Sequence, residues 1–163
     1  MSKTLGLSVA PVDQYMAKLL AQFIEEAEPE PGFTYFRDKT AVELVHNPEL
    51  HMWLWTEYGR PVGYGHLETF ANPCKAHVCR LGVCVAAAYR GRGLGTEIVA
   101  HLLEHAKELS KTKAVATVYG DNQPMLHVYW NKHGFVTEGR YEREELADDG
   151  TYREVYSLAR FLE

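Results

Sequence analysis

The sequence has no apolar run approaching the ~18 residues of a membrane-spanning helix, so no membrane partner is expected. Cysteine is scarce: Cys74, Cys79 and Cys84 are odd in number, and the last two sit in an apolar, strand-like run. A disulfide framework is therefore not expected, and buried thiols in a reducing compartment are. Positive charge is in deficit, with 17 Lys and Arg against 22 Asp and Glu and a net charge of −5, which argues against nucleic acid as a partner. The opening MSKTLGLSVAPVDQ reaches Pro11 and Asp13 before a signal-peptide core can form, so a cytoplasmic location is expected. Repeats, low-complexity tracts and long linkers are all missing, and 1–163 reads as a single domain. At this length folding buries roughly 70% of the extended-chain surface, enough to stand without a disulfide or metal staple.

What is present alternates between two periods. Residues 5–9 read as a short strand, and 11–27 as a helix through Val12, Tyr15, Met16, Leu19, Leu20, Phe23 and Ile24. Glu-Pro-Glu-Pro-Gly at 28–32 ends it in a loop, and a second helix over 38–46 follows Asp38 as N-cap. His51–Glu57 and Val62–Phe70 read as a hairpin across Tyr-Gly-Arg-Pro, and Ala76–Val85 as a central strand. Leu94–Leu109 is the clearest helix, followed by a buried strand Ala114–Tyr119 and a helix over Pro124–Lys132. A final hairpin, 135–144 with 152–159, turns at Asp-Asp-Gly. The order predicts an α+β fold, one mostly antiparallel mixed sheet flanked by helices.

One stretch carries chemistry. Where the central strand ends at Val85, Gly91, Gly93 and Gly95 alternate with Arg92 and Leu94, preceded by Arg90 and followed by Thr96 in the opening helix. Residues without Cβ let successive backbone N–H groups converge on one anion. The helix start adds about half a positive charge, and two guanidinium forks add to it. The spacing is neither a P-loop nor G-x-G-x-x-G, yet it describes a cradle for phosphate or pyrophosphate.

Arg90-Gly91-Arg92-Gly93-Leu94-Gly95 matches the Arg/Gln-x-x-Gly-x-Gly/Ala signature of the GNAT N-acetyltransferases, and here the sequence resembles that family. Asn122 through Gly134-Phe135 resembles its second motif, an Asn, a helix with Tyr, then Gly-Phe. The resemblance implies the acyl-CoA N-acyltransferase fold and acetyl-CoA as co-substrate, without a metal. It implies that the backbone near Val83 and Val85 holds the pantetheine arm, that the amides of Arg90 to Thr96 grip the pyrophosphate, and that Asn122 belongs to the same site. Tyr129, seven residues after Asn122, would protonate the departing thiolate. Counting back from Gly134 by the family spacing lands instead on Trp130, whose indole has no useful acidic proton. A non-catalytic module that binds acyl-CoA would need the same cradle.

Acyl transfer to an amine needs the free base, which for a lysine-like amine at pH 7 is disfavoured by ~4.6 kcal/mol. A general base is therefore expected. Strict alternation puts Glu68 on one strand face with Val62, Tyr64, His66 and Phe70, and His77 on another with Cys79, Leu81, Val83 and Val85. Glu68 ranks first and His77 second. The acceptor is a small-molecule or peptide amine, drawn by the acidic groups at Glu25, Glu26, Glu28 and Glu30 or at Glu144, Glu145, Asp148 and Asp149. An edge strand in the last hairpin offers a route to a homodimer. His101-Leu-Leu-Glu-His105 fits a zinc-peptidase pattern, but its histidines flank the apolar stripe of the helix and read as packing.

Overall fold

The computed structural model describes residues 6–27 and 40–163. The expected loop at 28–32, the aromatics Phe33, Tyr35 and Phe36, and the N-cap expected at Asp38 lie outside the described residues. Among the described residues, strand β1 (Ser8–Pro11) leads into helix α1 (Ala17–Ala27) and a short helix α2 (Ala41–Val45). The hairpin β2 (Leu50–Glu57) and β3 (Arg60–Glu68) precedes the central β4 (Val78–Val85). Helix α3 (Leu94–Glu108) and strand β5 (Lys113–Tyr119) come after it, then α4 (Gln123–His127) and the hairpin β6 (Val136–Leu146) and β7 (Tyr152–Phe161).

Two boundaries shift for local reasons. Pro11 does not open a helix but ends β1, opposite Trp53. Asp13 then caps the turn, its Oδ1 accepting from the amides of Tyr15 (2.9 Å) and Met16 (3.1 Å), so α1 starts at Ala17. Thr40 is the N-cap of α2: its hydroxyl accepts from the Glu43 amide, and the Glu43 carboxylate accepts from the Thr40 amide at 2.7 Å.

The sheet is mixed α+β in character, with strand order β1-β2-β3-β4-β5-β7-β6 and β4–β5 as its one parallel pair among the described strands. One face packs on α3, whose Leu94, Ile98, Val99, Leu102, Leu103 and Ala106 are buried at helical spacing, together with Leu126 of α4. The other face packs Leu20 and Phe23 of α1 and Leu44 of α2 against Met52, Leu54 and Tyr64. Cys79 and Cys84 fall on opposite faces, and Trp53 and Trp55 share the α3 face, as the alternation requires.

The expected face of β3 needs correcting at one residue. A register shift where Thr56 pairs with Pro61 puts Val62 in the α3 core, whereas Tyr64 and His66 face the α1 side. A single extra residue in a ladder swaps the faces of the residues beyond it.

Candidate active site

Strands β4 and β5 hydrogen-bond only at Val78–Arg80 and Lys113–Val115, then part, although β4 runs on to Val85 and β5 to Tyr119. The wedge between them opens into a cleft of about 730 Å³. Val83, Val85, Arg90, Gly91, Gly93, Leu94, Gly95, Thr96 and Asn122 line this cleft together, nine of the positions expected in a coenzyme site. Arg92 does not line it, since its guanidinium lies over the Tyr89 ring at 5.3 Å. Arg90 closes the strand end by donating from Nε to the Val85 carbonyl at 3.1 Å.

The cradle's shape rests on two left-handed residues, Gly91 at φ +70° and Gly93 at φ +87°. Gly93 is the N-cap of α3 and supplies no side-chain hydrogen bond to the helix start. The first amides of α3 are thus left for an outside acceptor, and a Cβ on either glycine would meet no protein atom within 4 Å. This donor set in open space fits a diphosphate. Behind it, His133 Nε2 contacts the Thr96 carbonyl at 2.9 Å, and burial holds that imidazole below its ordinary pKa. The far wall adds His127 and Lys132, side chains that motif spacing did not single out because they come from the helix facing the cradle.

Asn122 caps α4, accepting from the Met125 amide at 3.3 Å. After His127 the helix widens into a π turn over Val128–Lys132, closed by a bond from the Phe135 amide to the Tyr129 carbonyl at 2.9 Å. A π turn holds one residue more than an α turn. It leaves Tyr129 facing inward, 2% exposed, with Phe135 edge-on at 4.8 Å. Trp130 turns away, donating from Nε1 to Thr137 Oγ1 at 3.2 Å and packing edge-on against Tyr156. Burial raises the Tyr129 hydroxyl well above the ordinary tyrosine range, so it keeps its proton at neutral pH.

A second cavity of about 370 Å³ joins the cleft at Val83, Asn122 and Met125. Tyr129 lines it on the α4 side, with His66, Arg80 and Gly82 from the central strands and Tyr119 and Glu145 from the far side. Glu145 lies beyond a register shift in β6, and its carboxylate accepts the Tyr119 hydroxyl proton. Glu68 is not in the lining: it pairs across β3 and β4 with Arg80, 3.2 Å from the guanidinium. His77 is exposed ahead of β4, where its carbonyl accepts from the amides of Thr112 and Lys113, and it reaches neither cavity. Tyr129 thus lines the cavity that shares Val83, Asn122 and Met125 with the cradle's cleft, whereas Glu68 and His77 line neither space. His66 and Arg80 are the residues that sequence reasoning passed over. The visible signals were Arg80 itself and Gly82, the two interruptions of a mostly apolar strand.

The zinc-like pair His101 and His105 packs on Trp53 with ring centroids at 5.0 and 4.7 Å, and His105 Nε2 sits 3.2 Å from His51 Nδ1. Among the described residues no helix is long and apolar enough to cross a membrane.

A sheet parted beside a glycine cradle at a helix start is the architecture of an acyl-CoA transferase, and the chain belongs to the acetyltransferase (GNAT) family, whose model matches residues 13–135. Over 130 residues it is 28% identical to the L-amino acid N-acetyltransferase AaaT of Escherichia coli (strain K12), covering 71% of this chain and 79% of that protein. A GNAT-family acetyltransferase from Streptococcus pneumoniae superposes with a TM-score of 0.85 at 22% identity, covering 96% and 99% of the two chains. The phosphinothricin acetyltransferase of Sinorhizobium meliloti, solved in complex with AcCoA, superposes at 0.80 and 14% identity over 97% and 89%. These likenesses carry the fold.

Proposed function

We propose that this acetyltransferase moves the acetyl group of acetyl-CoA onto the primary amine of a small, carboxylate-bearing acceptor, an amino acid, by direct attack. The observation that carries the reading is the second cavity: it shares Val83, Asn122 and Met125 with the cleft and is lined by Tyr129, with Arg80 on one wall and Glu145 on another. A guanidinium fork suits a carboxylate, and a carboxylate suits an ammonium group, so the two walls match the two ends of a zwitterion. At about 370 Å³ the cavity is near the lower end of ordinary small-molecule sites, ~300–1,000 Å³, and favours a small acceptor over a protein surface. The likeness to an L-amino acid N-acetyltransferase supports the same class.

In this reading Gly91 to Thr96 bind the diphosphate, the open edge of β4 at Val83 and Val85 holds the pantetheine arm, and Tyr129 Oη gives a proton to the leaving sulfur. Acetyl-CoA supplies the acetyl group activated as a thioester. Glu68 has a positioning role, fixing the Arg80 guanidinium at the mouth of the cavity.

The test is thiol release from acetyl-CoA against amino acids paired with their decarboxylated amines, with peptide amines alongside. Amino acids should be preferred, and Arg80→Met should raise their KM roughly 10- to 100-fold, the scale of a charged hydrogen bond, while leaving the amines unchanged. Equal use of each pair, or an unchanged KM in the variant, overturns the amino-acid assignment. No thiol release with any amine overturns the reading as a whole.

A further inference from the structure

We propose that His66 is the general base of the reaction, an inference that rests on an amine occupying the second cavity. His66 is the buried polar side chain of the described core, 4% exposed, and it lines that cavity together with Tyr129. Its ring lies directly over Gly82 of β4. A Cβ built at position 82 would sit 2.0 Å from its Cε1, 2.5 Å from its Nε2 and 2.7 Å from its Nδ1. The imidazole thus fills the space that any side chain at 82 would claim, which explains a glycine in the middle of an apolar strand. That point of β4 lies two residues past Arg80, where pairing with β5 has ended and the strand edge faces the wedge. The register sets this up, because His66 pairs with Gly82 across β3 and β4 and with Met52 across β2.

The competing bases are occupied or misplaced. Glu68 is engaged by Arg80, Glu145 accepts from Tyr119, and His77 is on the surface. An imidazole is also the side chain whose ordinary titration spans neutrality, as taking a proton from an amine at pH 7 requires. The titratable and charged groups around His66 are Tyr64 (ring centroids 5.6 Å apart) and Glu68 on its own strand, Arg80 on β4, and Tyr119, Tyr129 and Glu145 across the cavity. From α1, the apolar Phe23 packs on Tyr64.

Atoms and charge balance across the transfer. The bound ammonium first loses one proton to solvent, which leaves the free amine; as the C–N bond then forms, His66 takes the second proton shed by the nitrogen. As the C–S bond breaks, Tyr129 Oη protonates the departing sulfur, and the imidazolium then restores the Tyr129 proton through water in the cavity. The products are an amide and a free thiol.

Steady-state kinetics between pH 5 and 9 with the wild type, His66→Gln and Gly82→Ala test this, together with calorimetry of coenzyme A binding. His66→Gln should lower kcat roughly 100-fold and abolish the acid limb of kcat/KM, leaving coenzyme A affinity unchanged. Gly82→Ala, which forces the ring aside, should reproduce the effect in milder form. In the wild type, NMR titration of the His66 ring, assigned through its contact with Tyr64, should give a midpoint matching the kinetic limb. This readout does not depend on either variant folding. A limb that survives in His66→Gln, or a ring that titrates elsewhere, overturns the base assignment. A wild type inactive on every amine instead overturns the function on which the assignment rests.

Discussion

The long cleft is lined by two stretches of sequence, 83–96 and 121–132, whereas the smaller cavity that shares Val83 with it draws its lining from β3, β4, β5, β6 and the α4 region. The first takes its shape from φ angles and a helix start, features that change little with side-chain identity. The second takes its shape from which residues the strand order and the register shifts happen to oppose. Such a division suits an enzyme class in which the acyl donor is constant and the acceptor varies: the donor site is fixed by backbone and the acceptor site can be rebuilt one residue at a time. Tyr129 lines the smaller cavity, next to the residues the two spaces share.

The largest effect is expected at Tyr129. Tyr129→Phe keeps the ring against Phe135 and removes the hydroxyl, so kcat should fall roughly 100-fold, at the low end for a lost general acid. Coenzyme A affinity, measured by calorimetry, should not move, because the hydroxyl lines the smaller cavity rather than the cleft. A parallel loss in both quantities would erase the boundary between the two regions.

Next comes a variant aimed at the cleft alone. Gly93→Val puts a β-branched residue at φ +87° in the N-cap of α3, a strain of ~2 kcal/mol. Coenzyme A binding should weaken about 30-fold by calorimetry. With acetyl-CoA saturating, the ranking of amine acceptors should stay as in the wild type, since Gly93 is absent from the lining of the acceptor cavity. A changed ranking would mean that the backbone site also shapes acceptor choice.

The same division explains what could be read from residues alone. The glycine turn was legible because its residues are consecutive and two of them, Gly91 and Gly93, hold left-handed backbone. The strand and helix order was legible from period, and the mostly antiparallel sheet came with it. The second cavity was not legible, because His66 and Gly82 become neighbours only through the β3–β4 register. Alternation counted from Val62 also failed at the bulge beside it, placing that residue on the wrong face. Glu68 was correctly placed on the face of His66, but its partner Arg80 became apparent only once β3 and β4 were paired. Likewise the π turn that sets Tyr129 inward leaves no mark in the sequence beyond one residue too many before Gly134.

The smallest effect should come from the neighbour of Tyr129, and it sharpens where the boundary lies. Trp130→Phe preserves an aromatic edge against Tyr156 and deletes the Nε1 bond to Thr137 at 3.2 Å. A neutral hydrogen bond near the surface is worth about 1 kcal/mol at most, or a Tm lower by roughly 2–4 °C in a chain of this size. Because Trp130 lines neither space, kcat and both KM values should stay within about twofold, the range expected when no polar contact to either substrate is lost. A fall in kcat comparable to that of Tyr129→Phe would show that the widened turn presents the indole, not the phenol, to the reacting atoms. The proton donor would then have to be sought among the other hydroxyl groups of the cavity, with Tyr119 first in line.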